Sequence, residues 1–439
     1  MEYVGDKLDW GQFGGEKGSS ISHYLIEFVN FILYNQDLNI PHAVLAALID
    51  YSKAFNKICH NRIITILSRM GVPSWLLRII MGFLTERELI VNYKGKQSDR
   101  KRLPAGSPQG TRLGLVLFLI LINAAGYDQI ETQLGKHVTQ KKNKRLIIPH
   151  IHLKYVDDVS LAEAINVKNV VLPNPDPNPP RPLAYHDRTL HILPTELTPL
   201  QDELNKMKQY CVDNKMTINS AKTKVVLFNT ARKYDFQPQL SLDGITQLEV
   251  VEEFRLLGIN FQCNLSWQLN TDLMCKKGYS SIWMLRRLSN LGANTDDMLN
   301  VYNKQIRCIL ELAVPVWTPG LTKQEIYQIE RVQKCALHVI LGEDYLSYDL
   351  AVKTLDIEKL SDRRTKLCLN FAKKCEKHPK YSKWFQQAEI LPPPQMPTRS
   401  DKNAVQLKYT PVPTRTDRYL TSPLPYLTNL LNTYHTEHK

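Results

Sequence analysis

Three aspartates stand where the surrounding residues make a carboxylate costly. The stretch "LKYVDDVSLA" sets Asp157 and Asp158 among Leu153, Tyr155, Val156, Val159 and Leu161, and "HAVLAALIDYS" is a continuous apolar run that ends in Asp50. An isolated buried carboxylate costs several kcal/mol or more, so such residues require exposure at a turn, paired cations or bound metal. For the ten residues around Asp157 alone, an exposed hairpin tip is a sufficient answer. Together with Asp50 at the end of a buried strand, the inventory is also that of two-metal phosphoryl transfer. There, two divalent ions about 3.5–4 Å apart activate a hydroxyl and hold a triphosphate, and carboxylate oxygens are the ligands that suit Mg²⁺.

The elements that must carry these residues can be read from periodicity. "SHYLIEFVNFILYN" has helical apolar spacing, and "HAVLAALI" reads as a buried strand. "HNRIITILSRMGV" reads as a helix stopped by Gly71, "PSWLLRIIMGFL" as a helix with Ser74 as its N-cap, and "ELIVNYKGKQSDRKRL" as a hairpin. "LPAGSPQGTRLGLVLFLILIN" is a Gly/Pro loop feeding a segment too long for a strand, hence a buried helix. The alternating prolines of "LPNPDPNPPRPLAYHDRTLHILP" forbid helix and sheet and predict an extended surface insertion. "LTPLQDELNKMKQYCVDNKMTINSAKTKVVLF" reads as helix, turn and strand, and "VEEFRLLGINF" as a strand pair around Gly258. From Trp267 the pattern turns helical, and from Lys380 the Thr, Arg and Pro content predicts a largely irregular tail.

Composition narrows the class. The 439 residues are 43% hydrophobic, enough for two or three domains with real cores. Lys+Arg 56 against Asp+Glu 43 leaves a net charge of +13, which favours a polyanionic partner, although solubility alone would also account for it. The eight cysteines include no CxxC pair, and Cys368, Cys375 and His378 fit no common zinc spacing, so neither a disulfide framework nor a zinc site is expected. "LGLVLFLILIN" is about half a membrane span, and the N-terminus lacks a signal design, which predicts an intracellular protein with no membrane partner.

"LIDYSKAFNKICH", "LPAGSPQGTRLGLVLFLILIN", "KYVDD", "MTINSAKTKVVLF" and "FRLLGINF" occur in the order and at the approximate spacing of palm motifs A to E of reverse transcriptases. In detail the chain resembles the enzymes of non-LTR, LINE-type retrotransposons, and "LELAVPVW" with "IERVQKCALHVILG" resembles the thumb region that follows in those elements. Any one motif is weak, but five in register are specific. The resemblance implies an α+β right-hand polymerase palm, an antiparallel sheet with flanking helices and partial fingers, followed by a helical thumb-like domain. The expected organisation is palm and partial fingers over 1–264, with the Pro-rich insertion at 165–196, a thumb-like region over 265–345, and a C-terminal helical segment with irregular tail over 346–439.

Carried over position by position, the resemblance makes Asp50, Asp157 and Asp158 the catalytic carboxylates and the ligands of Mg²⁺ or Mn²⁺. It assigns Tyr51 a backbone carbonyl near the triphosphate, and Phe55 the aromatic beneath the incoming sugar that excludes a 2′-hydroxyl, where an ordinary core Phe is the alternative. Pro108, Gln109 and Gly110 match the loop that holds template base and nucleotide, and Tyr155 joins Pro108 as a template or primer contact. Lys222 is the candidate for the motif D lysine near the pyrophosphate, with Lys224 equally placed. The basic run "KHVTQKKNKRLIIPHIHLK", and "CKK" with "LRR", are candidate phosphate contacts or solvated faces. The implied partners are an RNA template, a DNA primer and deoxynucleoside triphosphates, and the implied setting is the nucleus.

Departures from the family pattern are Asn56 for an aspartate, Leu115 for a proline and Ala124 for an aspartate. Upstream finger segments, an endonuclease and a zinc knuckle are not recognisable, so the chain resembles an N-terminally shortened reading frame of such an element. Three functions compete: an RNA-directed DNA polymerase, a palm-fold remnant that binds nucleic acid without catalysis, and an RNA-templated RNA polymerase. Phe55 argues against the third.

Overall fold

The computed structural model describes residues 8–39, 42–52, 54–108, 110–123, 147–166, 191–193, 199–229, 236–242, 244, 246–388 and 407–438. Most of the Pro-rich insertion, most of the basic run before "YVDD", Gln109 and Ala124 lie outside them. The described chain divides into two units. The first holds residues up to Tyr24 and those from Asn39 to Glu252, and the second holds Leu25–Leu38 and everything from Glu253 onward.

In the first unit, strand β1 (His42–Ile49) is the centre of a five-stranded sheet, which explains why its residues are apolar on both faces. Helix α1 (Ile21–Gln36), of which Leu25 onward belongs to the second unit, precedes it in the chain; α2 (His60–Arg69), α3 (Ser74–Leu84), the ribbon pairs β2 (Arg87–Leu89) with β5 (Lys101–Leu103) and β3 (Asn92–Tyr93) with β4 (Lys96–Gln97), and α4 (Arg112–Asn123) follow. Next come β6 (His150–Tyr155), β7 (Asp158–Asn166), β8 (His191–Leu193), α5 (Pro199–Asp213), β9 (Lys224–Phe228), β10 (Phe236–Pro238) and β11 (Glu249–Val250). The sheet order is β11-β9-β1-β7-β6, antiparallel throughout except for the β11–β9 pair.

Alternation sorts β1 by face. Leu45, Ala47 and Ile49 join Leu117, Phe118 and Leu121 of α4 and Leu204 and Met207 of α5 in one buried core. Ser74 does not cap α3: the N-cap is Pro73, and no side-chain cap bond forms. Pro at that position fixes the entry backbone and leaves Ser74 inside the first turn.

The second unit contains the hairpin β12 (Glu253–Leu256) and β13 (Ile259–Gln262), whose Phe254 and Phe261 rings stack at 5.2 Å with Phe28 of α1 edge-on to both. Its helices are α6 (Gln268–Asn290), α7 (Thr295–Val301), α8 (Cys308–Leu310), α9 (Val314–Trp317), α10 (Lys323–Leu341), α11 (Tyr348–Thr354), α12 (Leu360–Lys377), α13 (Asp417–Leu420) and α14 (Pro423–Glu437). Gly278 lets α6 approach α10, since a Cβ there would stand 2.8 Å from Val332.

Of the stretch expected to be a largely irregular tail, residues 389–406 lie outside the described residues, and the described part contains α13 and α14, held by long-range anchors. Asn432 exchanges hydrogen bonds with the Tyr409 backbone in both directions at 2.9 Å, and Asp37 accepts from the backbone N–H groups of Arg415 and Thr416. Such long-range anchors do not register in local composition. Among the described residues, no helix is long and apolar enough to cross a membrane.

Candidate active site

Register brings two of the three aspartates side by side. Ile49, the last residue of β1, pairs with Val159 of β7, so Asp50 and Asp158 are the next residues along these adjacent antiparallel strands. Asp157 sits in the two-residue turn between Tyr155 and Asp158, which pair across the β6–β7 ladder. Val156, the first turn residue, has φ 61°, as a primed hairpin turn requires. A β-branched residue there costs about 1–2 kcal/mol, so the surroundings must over-determine this turn.

Like charges crowd the strand ends. Partial burial, then the charges of Asp157 and Asp50, push the Asp158 carboxyl up to about 6. Among the described residues, no three His, Cys, Asp or Glu side chains form a ready-made metal cage. Carboxylate oxygens are nevertheless donors of the type that suits Mg²⁺, which at phosphate-transferring sites is held by one or two carboxylates with water and substrate phosphates. The donor set therefore fits a divalent cation brought in with a triphosphate.

A pH experiment reads this crowding. The folded chain keeps the Asp158 proton up to about pH 6, whereas the unfolded chain releases it near the ordinary value of 3.8, so this group's contribution to stability falls as pH rises from about 4 to about 6. Asp158→Asn removes the effect. The variant should gain melting temperature relative to the parent across that window and hold the gain above it, while Mg²⁺ at pH 7.5 should stabilise the parent more than the variant. A difference that stays flat with pH would show that neither burial nor the neighbouring carboxylates raise Asp158.

Asp50 is fixed by the segment before β9. Its N–H donates to Thr223 Oγ1 at 3.3 Å, and its carbonyl accepts from Asn219 N–H at 2.8 Å. Tyr51 bridges to Ile218, and its ring is buried with the hydroxyl on Met207 Sδ, so its backbone is the part available to a ligand. Lys222 lies exposed in the Asn219–Thr223 turn, and no ion pair of its side chain is found among the described residues. Lys224 pairs with Glu249, which separates two positions the sequence leaves equivalent.

The loop of Pro108 and Gly110 is stitched to the segment after β1. Ser107 N–H donates to Phe55 O, and Gly106 N–H to Ile58 O, each at 2.9 Å. Gly106 takes φ 86°, a Cβ on it would stand 2.8 Å from the Asn56 carbonyl oxygen, and a Cβ on Gly114 would stand 2.4 Å from the Pro108 carbonyl. Phe55 is half-buried and stacks on Phe118 at 4.5 Å, so one face of its ring is committed to the core. Tyr155 is half-buried and meets Tyr24 edge-on at 6.2 Å. The structure thus brings the three aspartates together at the strand ends, with Tyr51 and the Lys222 turn beside Asp50, and ties Phe55 through its carbonyl to Ser107 of the Pro108 loop.

Lys154, part of the basic run read as a candidate phosphate contact, is instead fully buried, and its Nζ donates to Asp9 Oδ2 at 2.9 Å. A side chain in that position cannot reach a phosphate. Asp9, Asn219 and Thr223 were not singled out by sequence reading. The Gly-rich "WGQFGG" was the available signal for the first, because glycines mark close backbone approach.

Residues 6–261 match the family model described as reverse transcriptase (RNA-dependent DNA polymerase). The chain belongs to that family. It is 22% identical over 376 residues to the RNA-directed DNA polymerase from mobile element jockey of Drosophila melanogaster, covering 84% of this chain and 36% of that protein. It is 20% identical over 344 residues to a probable RNA-directed DNA polymerase from transposon BS of the same organism, covering 76% and 33%. The chain therefore spans about a third of the length of these relatives. Among solved structures, it is similar to telomerase from Candida Tropicalis in complex with a TWJ fragment of telomeric RNA, at 10% identity and a TM-score of 0.39, covering 84% of this chain and 48% of that one. The apo telomerase of the same organism matches at 11% identity and 0.39, covering 85% and 52%.

Proposed function

We propose that this member of the reverse transcriptase family is an RNA-directed DNA polymerase of the non-LTR retrotransposon type, adding deoxynucleotides to a primer 3′-hydroxyl. The observation that carries the reading is the convergence of Asp50, Asp157 and Asp158 charge at the open ends of β1 and the β6–β7 hairpin. A carboxyl raised by partial burial and then by neighbouring like charges is one whose ionised form a bound cation would favour.

Asp50, Asp157 and Asp158 would hold Mg²⁺ or Mn²⁺, which when bound would activate the 3′-hydroxyl and neutralise the triphosphate. The Tyr51 carbonyl would lie along the triphosphate. Lys222 would meet the departing pyrophosphate, a role favoured over Lys224 because Lys224 is engaged by Glu249. Phe55 would bound the sugar, with Pro108, Gln109 and Gly110 holding the base pair and Tyr155 touching the primer strand. Residues 1–264 would act as palm and partial fingers, and 265–345 as thumb, on an RNA template and DNA primer. The retrotransposon reading also implies work in the nucleus.

Primer extension on an RNA template with deoxynucleotides tests the proposal. Extension in Mg²⁺ or Mn²⁺, lost on chelation, is the expected result. Salt-sensitive binding of primer-template without any extension would favour a non-catalytic remnant instead.

A further inference from the structure

The strand that delivers the aspartate pair carries a buried charge that no metal or substrate role explains. Lys154, three residues before Asp157, is 0% exposed in β6. Along its edge runs the segment from Asp9 to Gly14. Lys154 N–H donates to Gly11 O, Phe13 N–H donates to Lys154 O, and Lys154 Nζ donates to Asp9 Oδ2, each at 2.9 Å. Asp9 N–H in turn donates to Asn123 Oδ1, at the last residue of α4. Gly14 closes the arrangement against the strained turn: a Cβ there would stand 2.5 Å from Val156 N and 2.7 Å from its Cγ2.

From these contacts we infer that the Asp9–Lys154 pair is a positioning device for the Asp157–Asp158 hairpin, tying its approach strand to the end of α4. The inference rests on the polymerase reading for the word catalytic, but not for the mechanics. Burying an ammonium is expensive, and a well-packed apolar pair of similar volume is often as stable or more so, which makes stability a weak reason for the pair. Register is a better one. The parallel bridge between Gln12 and Lys154 is held by two backbone hydrogen bonds, and so short a pairing specifies its own alignment poorly. An ion pair whose ammonium is fully buried and whose carboxylate is partly so favours the alignment in which the ammonium keeps its partner. In that alignment Gly14 meets Val156, and the positive φ that aims Asp157 is enforced from outside the hairpin.

The test compares the parent with Asp9→Asn, Lys154→Met and the double variant Asp9→Leu with Lys154→Met. The measurements are melting temperature, amide hydrogen exchange across Ile151–Ser160, and primer extension resolved into kcat, KM and the Mg²⁺ activation midpoint. The double variant carries no unpaired charge, so it keeps the question open to decision should Lys154→Met fail to fold. The expected result is at least about tenfold faster exchange at Val156 to Asp158 in every folded variant. With it should come a kcat lowered by about 10- to 100-fold and a raised Mg²⁺ midpoint, at unchanged KM for primer-template.

A double variant with the parental melting temperature, exchange and kcat would overturn the inference and leave the pair a packing feature. If the parent itself extends no primer, the polymerase reading fails while the exchange measurement still decides the mechanics. Hairpin amides that exchange as in the parent would then overturn the inference.

Discussion

Asp157→Asn is expected to abolish primer extension while the chain stays folded and still binds primer-template. Asp157 lies in the exposed turn of the β6–β7 hairpin, outside the core, so its amide analogue removes no buried contact. What it removes is one of the three negative charges that would offset bound metal, and the amide lacks the second hard oxygen and the charge that suit Mg²⁺. Stabilisation of transition-state charge by metal at such sites amounts to several kcal/mol, which corresponds to a loss of about 10³-fold or more. The measurement is single-turnover incorporation, with circular dichroism and a melting curve on the same sample. A folded variant extending primer at the parental rate would remove Asp157 from the catalytic set, and the assignment of Asp50 and Asp158 with it.

The second large effect is expected in selectivity. Phe55→Val should raise ribonucleotide incorporation relative to deoxyribonucleotide incorporation, while DNA synthesis persists at a reduced rate. The residue follows Asp50 by five positions, and its carbonyl is bonded to Ser107 of the Pro108 loop, so its backbone is set by elements that flank the proposed nucleotide. One ring face stacks on Phe118 at 4.5 Å, which fixes the plane of the ring. A rigid ring beneath a sugar excludes a 2′-hydroxyl by collision, and such negative discrimination is worth several kcal/mol, or more than about 10²-fold in relative incorporation. The same stack makes the competing outcome concrete. If Phe55 serves only the core, truncation to Val lowers stability by about 1–3 kcal/mol through the lost contact with Phe118 and leaves sugar preference untouched. Melting temperature and the ratio of ribo- to deoxyribonucleotide kcat/KM, taken on the same variant, separate the two. Unchanged discrimination with a lowered melting temperature would move Phe55 from the site to the core.

How much of this was legible in the sequence follows from the range of the forces involved. The continuous apolar run of β1 identified a strand buried on both faces, because only a central strand lacks a polar side, and its end at Asp50 placed a carboxylate at the rim of the sheet. Gly71 after α2 and Gly258 between β12 and β13 marked chain reversals correctly, since positive φ is a local demand that a residue type answers locally. Family membership was also legible, because motif order and spacing are properties of the chain itself.

What the tertiary structure alone decided were the pairings between distant segments. Lys222 and Lys224 are indistinguishable in "NSAKTK", and they part company only because β11 brings Glu249 beside β9. Lys154 reads as one more cation in a basic run until Asp9, far away in the chain, meets it in a buried strand. The residues after Lys380 look irregular by composition, yet α14 forms where Asn432 and Tyr409 satisfy one another's polar groups. In each case the free energy that fixes the side chain comes from burial against a segment far off in sequence. Burial of a charge or an amide is costly enough that its partner, rather than its neighbours, determines where it goes.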